Sequence, residues 1–268
     1  MVRLPTPGHL VRYGQRCTAA LYDRVVRVPR CSAPKDVLAI LHLSRSGSTV
    51  LGSLLAQHPK LYWDGEVFDR RRPRQQLFRR LQGVGDRQDP ERIAWLMRYA
   101  GERIYVLSAA GFYGRRPEEL IAELKGLGCN RFVLLRRDNL LRQRLSFLIA
   151  DKTARWHLSS TRPPSLTPVT LEEPSKLLAH MGNAQALYRQ LTDSIAGRPL
   201  LELTYEVDIE VSPSLAYDKV CRFLEIEPLP VKVRYGRMND YPISELVINY
   251  QEVAEAFRGS EFEWMLEE

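Results

Sequence analysis

Two stretches of this chain hold the residue types from which an anion site is built. The first, "LHLSRSGSTVLGSLLAQHP" (41–59), runs from apolar residues into Ser44-Arg45-Ser46-Gly47-Ser48-Thr49 and then into apolar residues at helical spacing. Glycine lets the backbone turn tightly and approach a ligand closely. Amides at the start of a following helix lack intrahelical acceptors, and the helix dipole sets roughly half a positive charge beside them. Arg45 would add a charged fork of donors, and Ser46, Ser48 and Thr49 would add hydroxyls. Taken alone, the same residues also fit a serine-rich turn that only caps a helix.

The second stretch is "RFVLLRRDNLLRQRLSFLIA" (131–150), in which an apolar run ends in Arg136-Arg137. Ser146 follows Asn139 by seven residues, so the two share one face of the intervening helix. Arginine at the carboxyl end of a parallel strand stands where such sheets take their ligands. Surface arginines paired with acids would leave a similar trace. Read together, the two stretches point to a ligand with two separated anionic groups. A nucleoside triphosphate with magnesium fits poorly. Its loop requires a lysine after the second glycine, whereas Ser48 follows Gly47, and no apolar run clearly ends in a metal-holding aspartate.

Elements must exist to position these residues. "DVLAILHL" (36–43) is a nearly continuous apolar run, which marks a strand buried on both faces. The helix after the loop places Val50, Leu54 and Leu55 on one face and ends near His58-Pro59. Further strands are expected at 61–68 (running into a turn at Asp64-Gly65), 103–108, 131–137 and 199–206. Helices are expected at 116–128, 138–152, about 172–196 and 214–226, with another near the C-terminus; the Pro-, Ser- and Thr-rich 158–170 reads as a loop. Alternating strands and helices give an α/β fold: a P-loop-like three-layer sandwich, with a central, mostly parallel sheet flanked by helices. Residues 1–35 read as an irregular lead-in packed on a single domain spanning 36–268.

Composition narrows the class. The chain has 268 residues, 44% hydrophobic and 26% charged, which suits a globular protein with a sizeable core. A net charge of +7, carried mainly by arginine, favours an anionic partner without choosing among small ligand, nucleic acid and membrane surface. Cysteines at 17, 31, 129 and 221 form neither a CxxC pair nor a zinc pattern, so a reduced, cytoplasmic setting is expected and a Cys17–Cys31 disulfide is not. The N-terminal stretch has prolines and charges where a secretion signal needs an apolar core, and no run approaches the length of a membrane span. The arginine-rich "DRRRPRQQLFRR" (69–80) reads as a solvated face.

In order and spacing, "SRSGSTVLGSLLAQHP…DGEVF" and "LLRRDNLLRQRLS" resemble the 5′-phosphosulfate loop and the 3′-phosphate strand and helix of the sulfotransferases that use 3′-phosphoadenosine 5′-phosphosulfate (PAPS). The resemblance runs with gaps from Asp36 to Trp264 and is nearest to the bacterial carbohydrate enzymes of the Nod-factor and trehalose type. It implies PAPS as co-substrate, 3′,5′-ADP as product, no metal, no nucleic acid, and a carbohydrate or small-molecule hydroxyl as acceptor. By the same resemblance, Ser44, Arg45, Ser46, Gly47, Ser48 and Thr49 would hold the 5′ end, and Ser146 with Arg137 or Arg136 would hold the 3′-phosphate. Glu66 matches the acid that several members use as general base, with His58 and His157 as rivals, and Arg45 would share in catalysis. Trp156 or His157 would lie against donor or acceptor, and residues 66–102 with the 158–170 loop would shape the acceptor pocket. The glycine-rich C-terminal loop of the cytosolic members has no counterpart, which leaves that part of the site unassigned. A kinase-like nucleotide transferase and a basic polyanion-binding module stand as alternatives.

Overall fold

The computed structural model describes residues 34–69, 90–110, 115–159, 161, 164–237 and 240–267. The expected lead-in, the arginine-rich run after Asp69, Cys17 and Cys31 therefore lie outside the described residues, except for Pro34 and Lys35.

Five strands form one sheet: β1 (Val37–His42), β2 (Leu61–Glu66), β3 (Ile104–Ala110), β4 (Arg131–Arg136) and β5 (Leu200–Thr204). Their order is β2-β3-β1-β4-β5, and every pairing is parallel. All six residues of β1 are buried, as a central strand covered on both faces requires.

Alternate residues of β1 feed two separate cores. Leu38 and Ile40 join Leu51, Leu54 and Leu55 of α1 (Ser48–Leu55) on one face. On the other face, Val37, Ala39 and Leu41 meet helices α2 (Pro90–Met97), α3 (Pro117–Gly126), α4 (Leu140–Thr153) and α5 (Pro174–Ile195). Helix α6 (Pro213–Phe223) packs with α1, through Tyr217, Val220 and Cys221. Near the C-terminus, α7 (Ile243–Leu246) and α8 (Tyr250–Phe257) join the α5 side. The result is the three-layer α/β sandwich of P-loop-like topology. Among the described residues, no helix is long and apolar enough to cross a membrane.

Two expectations need correction. The turn at Asp64-Gly65 is instead a bulge inside β2: pairing passes from Trp63↔Val106 to Gly65↔Leu107, and Asp64 Oδ2 accepts a hydrogen bond from the Tyr105 hydroxyl at 2.5 Å. The strand expected to reach 206 stops at Thr204, and Tyr205–Glu210 forms one π-helical turn. Asp208 ends the strand by accepting from the Thr204 amide at 2.7 Å and pairing with Lys219 at 2.6 Å.

Chain order reverses about β1, which has β3 on one side and β4 on the other. In such sheets, the crevice beyond the carboxyl ends of the strands at the reversal takes the ligand. The SRSGST loop follows β1, and Arg137 follows β4, at that crevice.

Candidate functional site

The loop between β1 and α1 depends on two left-handed residues. Gly47 has φ 91°, and an added Cβ would stand 2.8 Å from Ile209 Cδ1 and 2.9 Å from Tyr205 Cδ2. Only glycine fits there. Arg45 has φ 69°, and its side chain turns back over α4. Its Nε donates to Ser146 Oγ at 2.9 Å, and one terminal nitrogen donates to the Trp156 carbonyl at 2.6 Å. Ser46 is fully buried and donates to the Leu43 carbonyl at 2.7 Å, so its hydroxyl closes the loop from within. Gln143 of α4 donates to the Ser44 carbonyl at 3.0 Å, which ties the loop to the neighbouring helix.

Arg136 and Arg137 part company beyond β4. Arg136 turns outward to Glu202 and Asp138, at 3.3 Å each, with its side chain 42% exposed. Arg137 turns inward, 11% exposed, and donates weakly to the Arg45 carbonyl at 3.4 Å. The Tyr205 ring lies under its guanidinium, 4.3 Å from the ring centre, and Glu206 stands 3.6 Å from its Nε. Glu206 also accepts from the amides of Asp138 and Asn139 at 3.0 and 3.1 Å. One carboxylate thus fixes both the turn and the arginine. The cap of α4 is Asn139, whose side chain accepts from the Arg142 amide at 2.8 Å.

Arg45, Gly47, Ser48, Thr49, Arg137 and Ser146 line one narrow cleft, closed further by Tyr205, Tyr235 and Arg237. The two stretches read separately in the sequence meet in direct contact, because Arg45 reaches across to Ser146 rather than standing apart from it. Arg45, Ser48 and Thr49 also border a wider cavity of about 1120 Å³, with His42, Ser108, Trp63, Glu66, Asp69, Trp156 and His157 on its wall. Arg45 is therefore shared by the cleft and the cavity. At the start of α1 the Val50 and Leu51 amides donate to the Gly47 carbonyl at 3.0 and 3.1 Å, which leaves the Ser48 and Thr49 amides as the donors without a helical acceptor, and both residues border both spaces.

The charge state follows from this crowding. Burial, and then the neighbouring Arg137, push the Arg45 guanidinium below its ordinary pKa, with Tyr205 acting in the opposite direction. Burial likewise lowers Arg137; Tyr205 and Glu206 offset it, and Arg142 and Arg237 add to it. Both remain cations at neutral pH. Two guanidinium groups crowded together in this way lose hydration and repel each other, and an anion between them would relieve both costs.

Glu66 ends β2 on the wall of the wider cavity, with Arg45 bordering the same space. His157 shares that wall, its ring 5.8 Å from the Tyr235 ring. His58 lies elsewhere: its Nδ1 accepts from the Lys60 amide and its Nε2 donates to the Glu227 carbonyl, so the imidazole joins α1 to the chain after α6. Trp156 lies on both spaces, braced edge-on by Phe147 at 5.7 Å. Of the expected acceptor wall, Glu66, Asp69, Leu158 and Ser159 border the cavity, and 70–89 lie outside the described residues.

Sequence reasoning missed several lining residues. Tyr205 comes from the π turn, which had no signal of its own, and Glu206 of the same turn acts from behind the lining by holding Arg137. Tyr235 and Arg237 come from a segment without regular structure; it is held across the cleft because the Gly236 amide donates to the Leu158 carbonyl at 3.1 Å. His42 did leave a signal, as one polar residue closing an apolar strand.

No known family model matches the chain, and no curated protein matches it by sequence. Among solved structures it is similar to a sulfotransferase domain from the curacin biosynthetic pathway (16% identity, 74% of this chain and 77% of that one, TM-score 0.47). It is also similar to a sulfotransferase domain from the Synechococcus PCC 7002 olefin synthase (16% identity, 75% and 77%, TM-score 0.44). A sulfotransferase from Alicyclobacillus acidocaldarius is similar over 88% of this chain and 96% of that one, at 15% identity and a TM-score of 0.48. A tunicamycin resistance protein from Deinococcus radiodurans is similar as well, at 10% identity over 73% of this chain and 99% of that one, TM-score 0.37. Likenesses this distant carry no argument about activity, which has to rest on the site.

Proposed function

We propose that this protein transfers a sulfuryl group from PAPS to a hydroxyl of a carbohydrate, glycolipid or small natural product. One observation carries the reading: Arg45, Arg137 and Ser146 converge on a single cleft at the first turn of α1, and Arg45 also borders the cavity that holds Glu66. The sequence resemblance supplies the identity of the donor. The cleft supplies the chemistry expected of a site for an adenosine bearing two anionic ends.

In this reading Arg137 and Ser146 hold the 3′-phosphate. With its Nε bonded to Ser146 Oγ, Arg45 leaves the serine hydroxyl proton for the ligand. Ser48, Thr49 and the loop amides hold the 5′ end. Transfer in line moves negative charge onto the oxygen that bridges sulfur to the leaving phosphate. Arg45 and the α1 amides are fixed donors for that charge, stronger in the transition state than before it. Glu66 takes the proton of the attacking hydroxyl, a contribution of about 10²–10⁴ in rate. Trp156 and Tyr235 offer aromatic faces for adenine. Acceptors enter by the wider cavity, with His157 and Asp69 on its wall.

Calorimetry with 3′,5′-ADP and 5′-AMP tests the donor: strong preference for the former is expected, and equal affinities would rule the donor out. Transfer of radiolabelled sulfate from PAPS across sugars, glycolipids, phenols and amines tests the activity; labelling of none would defeat it.

A further inference from the structure

A buried hydrogen-bonded pair lies beside Glu66 and has no part in the reading above. His42 is 1% exposed and ends β1; Ser108 is 1% exposed and lies on β3. His42 Nδ1 is 3.0 Å from the Leu43 carbonyl oxygen, and His42 Nε2 is 2.7 Å from Ser108 Oγ. A carbonyl oxygen only accepts, so Nδ1 carries the ring proton and Nε2 offers a lone pair. The Ser108 hydroxyl must then donate to Nε2. Its remaining lone pairs are left for a proton arriving from another group.

Glu66 is the neighbour that can deliver one. Glu66 and Ser108 are register partners in the β2–β3 ladder, and partners on adjacent strands stand about 4.8 Å apart with side chains on one face. Glu66, Ser108 and His42 all line the same cavity.

We propose that Glu66 passes the acceptor's proton through Ser108 to His42. The inference rests on Glu66 being the general base. As the acceptor oxygen bonds to sulfur, its O–H breaks and the proton goes to the Glu66 carboxylate. The S–O bond to the leaving phosphate breaks, and its electron pair stays on that phosphate. Glu66 then gives the proton to Ser108 Oγ while Ser108 gives its own to His42 Nε2. Glu66 is a carboxylate again, Ser108 is unchanged, and His42 is an imidazolium whose Nδ1–H still faces the Leu43 carbonyl. Once product leaves, the proton returns through Ser108 to Glu66 and passes from its carboxyl to water entering the cavity, which restores the carboxylate for the next turnover.

The surroundings of His42 suit a temporary holder. Burial lowers its pKa and keeps the ring neutral between turnovers, whereas the Leu43 carbonyl and the Glu66 charge favour the cation. His42 and Ser108 act through Glu66 and are positioning residues in this scheme.

The test uses PAPS as donor with glucose or octyl glucoside as acceptor, whichever turns over faster. Ser108→Ala should lower kcat about 10- to 100-fold, with 3′,5′-ADP affinity within about twofold of wild type. Rates in H2O/D2O mixtures should curve for wild type, reporting more than one moving proton, and become linear in Ser108→Ala. Ser108→Thr keeps the hydroxyl and should restore both rate and curvature. Full activity or retained curvature in Ser108→Ala, alongside an inactive Glu66→Gln, overturns the relay and leaves Glu66 standing as base. An active Glu66→Gln removes base and relay together. Independently of turnover, ¹⁵N spectra of the intact protein should show His42 protonated at Nδ1 at neutral pH; protonation at Nε2 overturns the proposal.

Discussion

Arg136 and Arg137 are successive residues on one strand end, yet they meet different surroundings. Arg136 is half exposed and shared between two surface acids. Arg137 is enclosed, stacked on Tyr205 and set against Arg45. Hydrogen bonds to charged groups are worth about 1.5–3 kcal/mol each. Arg137→Ala should therefore weaken 3′,5′-ADP binding by about 10- to 150-fold in calorimetry, and Arg136→Ala should change it by less than about threefold. The reverse ranking would move the 3′-phosphate elsewhere. Glu66→Gln keeps the shape of the side chain and removes the carboxylate, so on the proposed mechanism turnover should fall by at least about 100-fold while 3′,5′-ADP binds nearly as before. Retained turnover would point to His157, which shares the cavity, and away from His58, which does not.

At the scale of elements, the site depends on how α1 meets β2. A Cβ at Gly52 would stand 2.2 Å from the Trp63 ring, far inside contact distance. Trp63 lies on β2 three residues before Glu66, so Gly52→Ala should push that strand outward. Overpacking of this kind costs typically 1–3 kcal/mol. The expected signature is a lower melting temperature, with a larger loss in kcat than in 3′,5′-ADP affinity; unchanged kcat would mean that β2 need not be held there. Gly47→Ala meets both a positive φ and the side chains of Ile209 and Tyr205. It should remove binding outright in calorimetry, because the loop amides move with the turn. At the head of α4, Asn139 caps the helix and also donates to the Met265 carbonyl at 3.0 Å. Asn139→Ala should cost about 0.5–2 kcal/mol in denaturant unfolding.

The stability of the whole molecule should respond to pH through His42. Burial holds its folded pKa below the ordinary 6.5, so above 6.5 the ring is neutral in both states. As pH falls below 6.5, the unfolded chain takes up a proton that the folded one refuses, and stability is lost. His180 is lowered in the same sense, by burial and by Arg144. The melting temperature should therefore fall between about pH 7 and pH 5, and His42→Gln should flatten that slope without abolishing it. A slope equal to that of wild type would mean that His42 protonates freely when folded.

Much of the architecture was legible in the chain because it rests on local patterns. Short continuous apolar runs bounded by polar and turn residues fit strands buried on both faces, and β1 and the middle of β4 are such runs. Glycine in SRSGST is needed for a backbone angle, which residue type alone reveals. Which of Arg136 and Arg137 faces the cleft was not legible, since neighbours on a strand face opposite sides and only packing says which side is enclosed. The role of Ser46 was hidden for the same reason: a serine in a loop reads as a donor until the fold turns it inward. Tyr205, Tyr235 and Arg237 reach the cleft from beyond residue 200, and nothing within their own segments marks them. By itself the sequence determined that two apolar strands would each run into an arginine-bearing segment. Only the tertiary structure decided that they share one cleft, because strand order in the sheet, and not order in the chain, makes β1 and β4 neighbours.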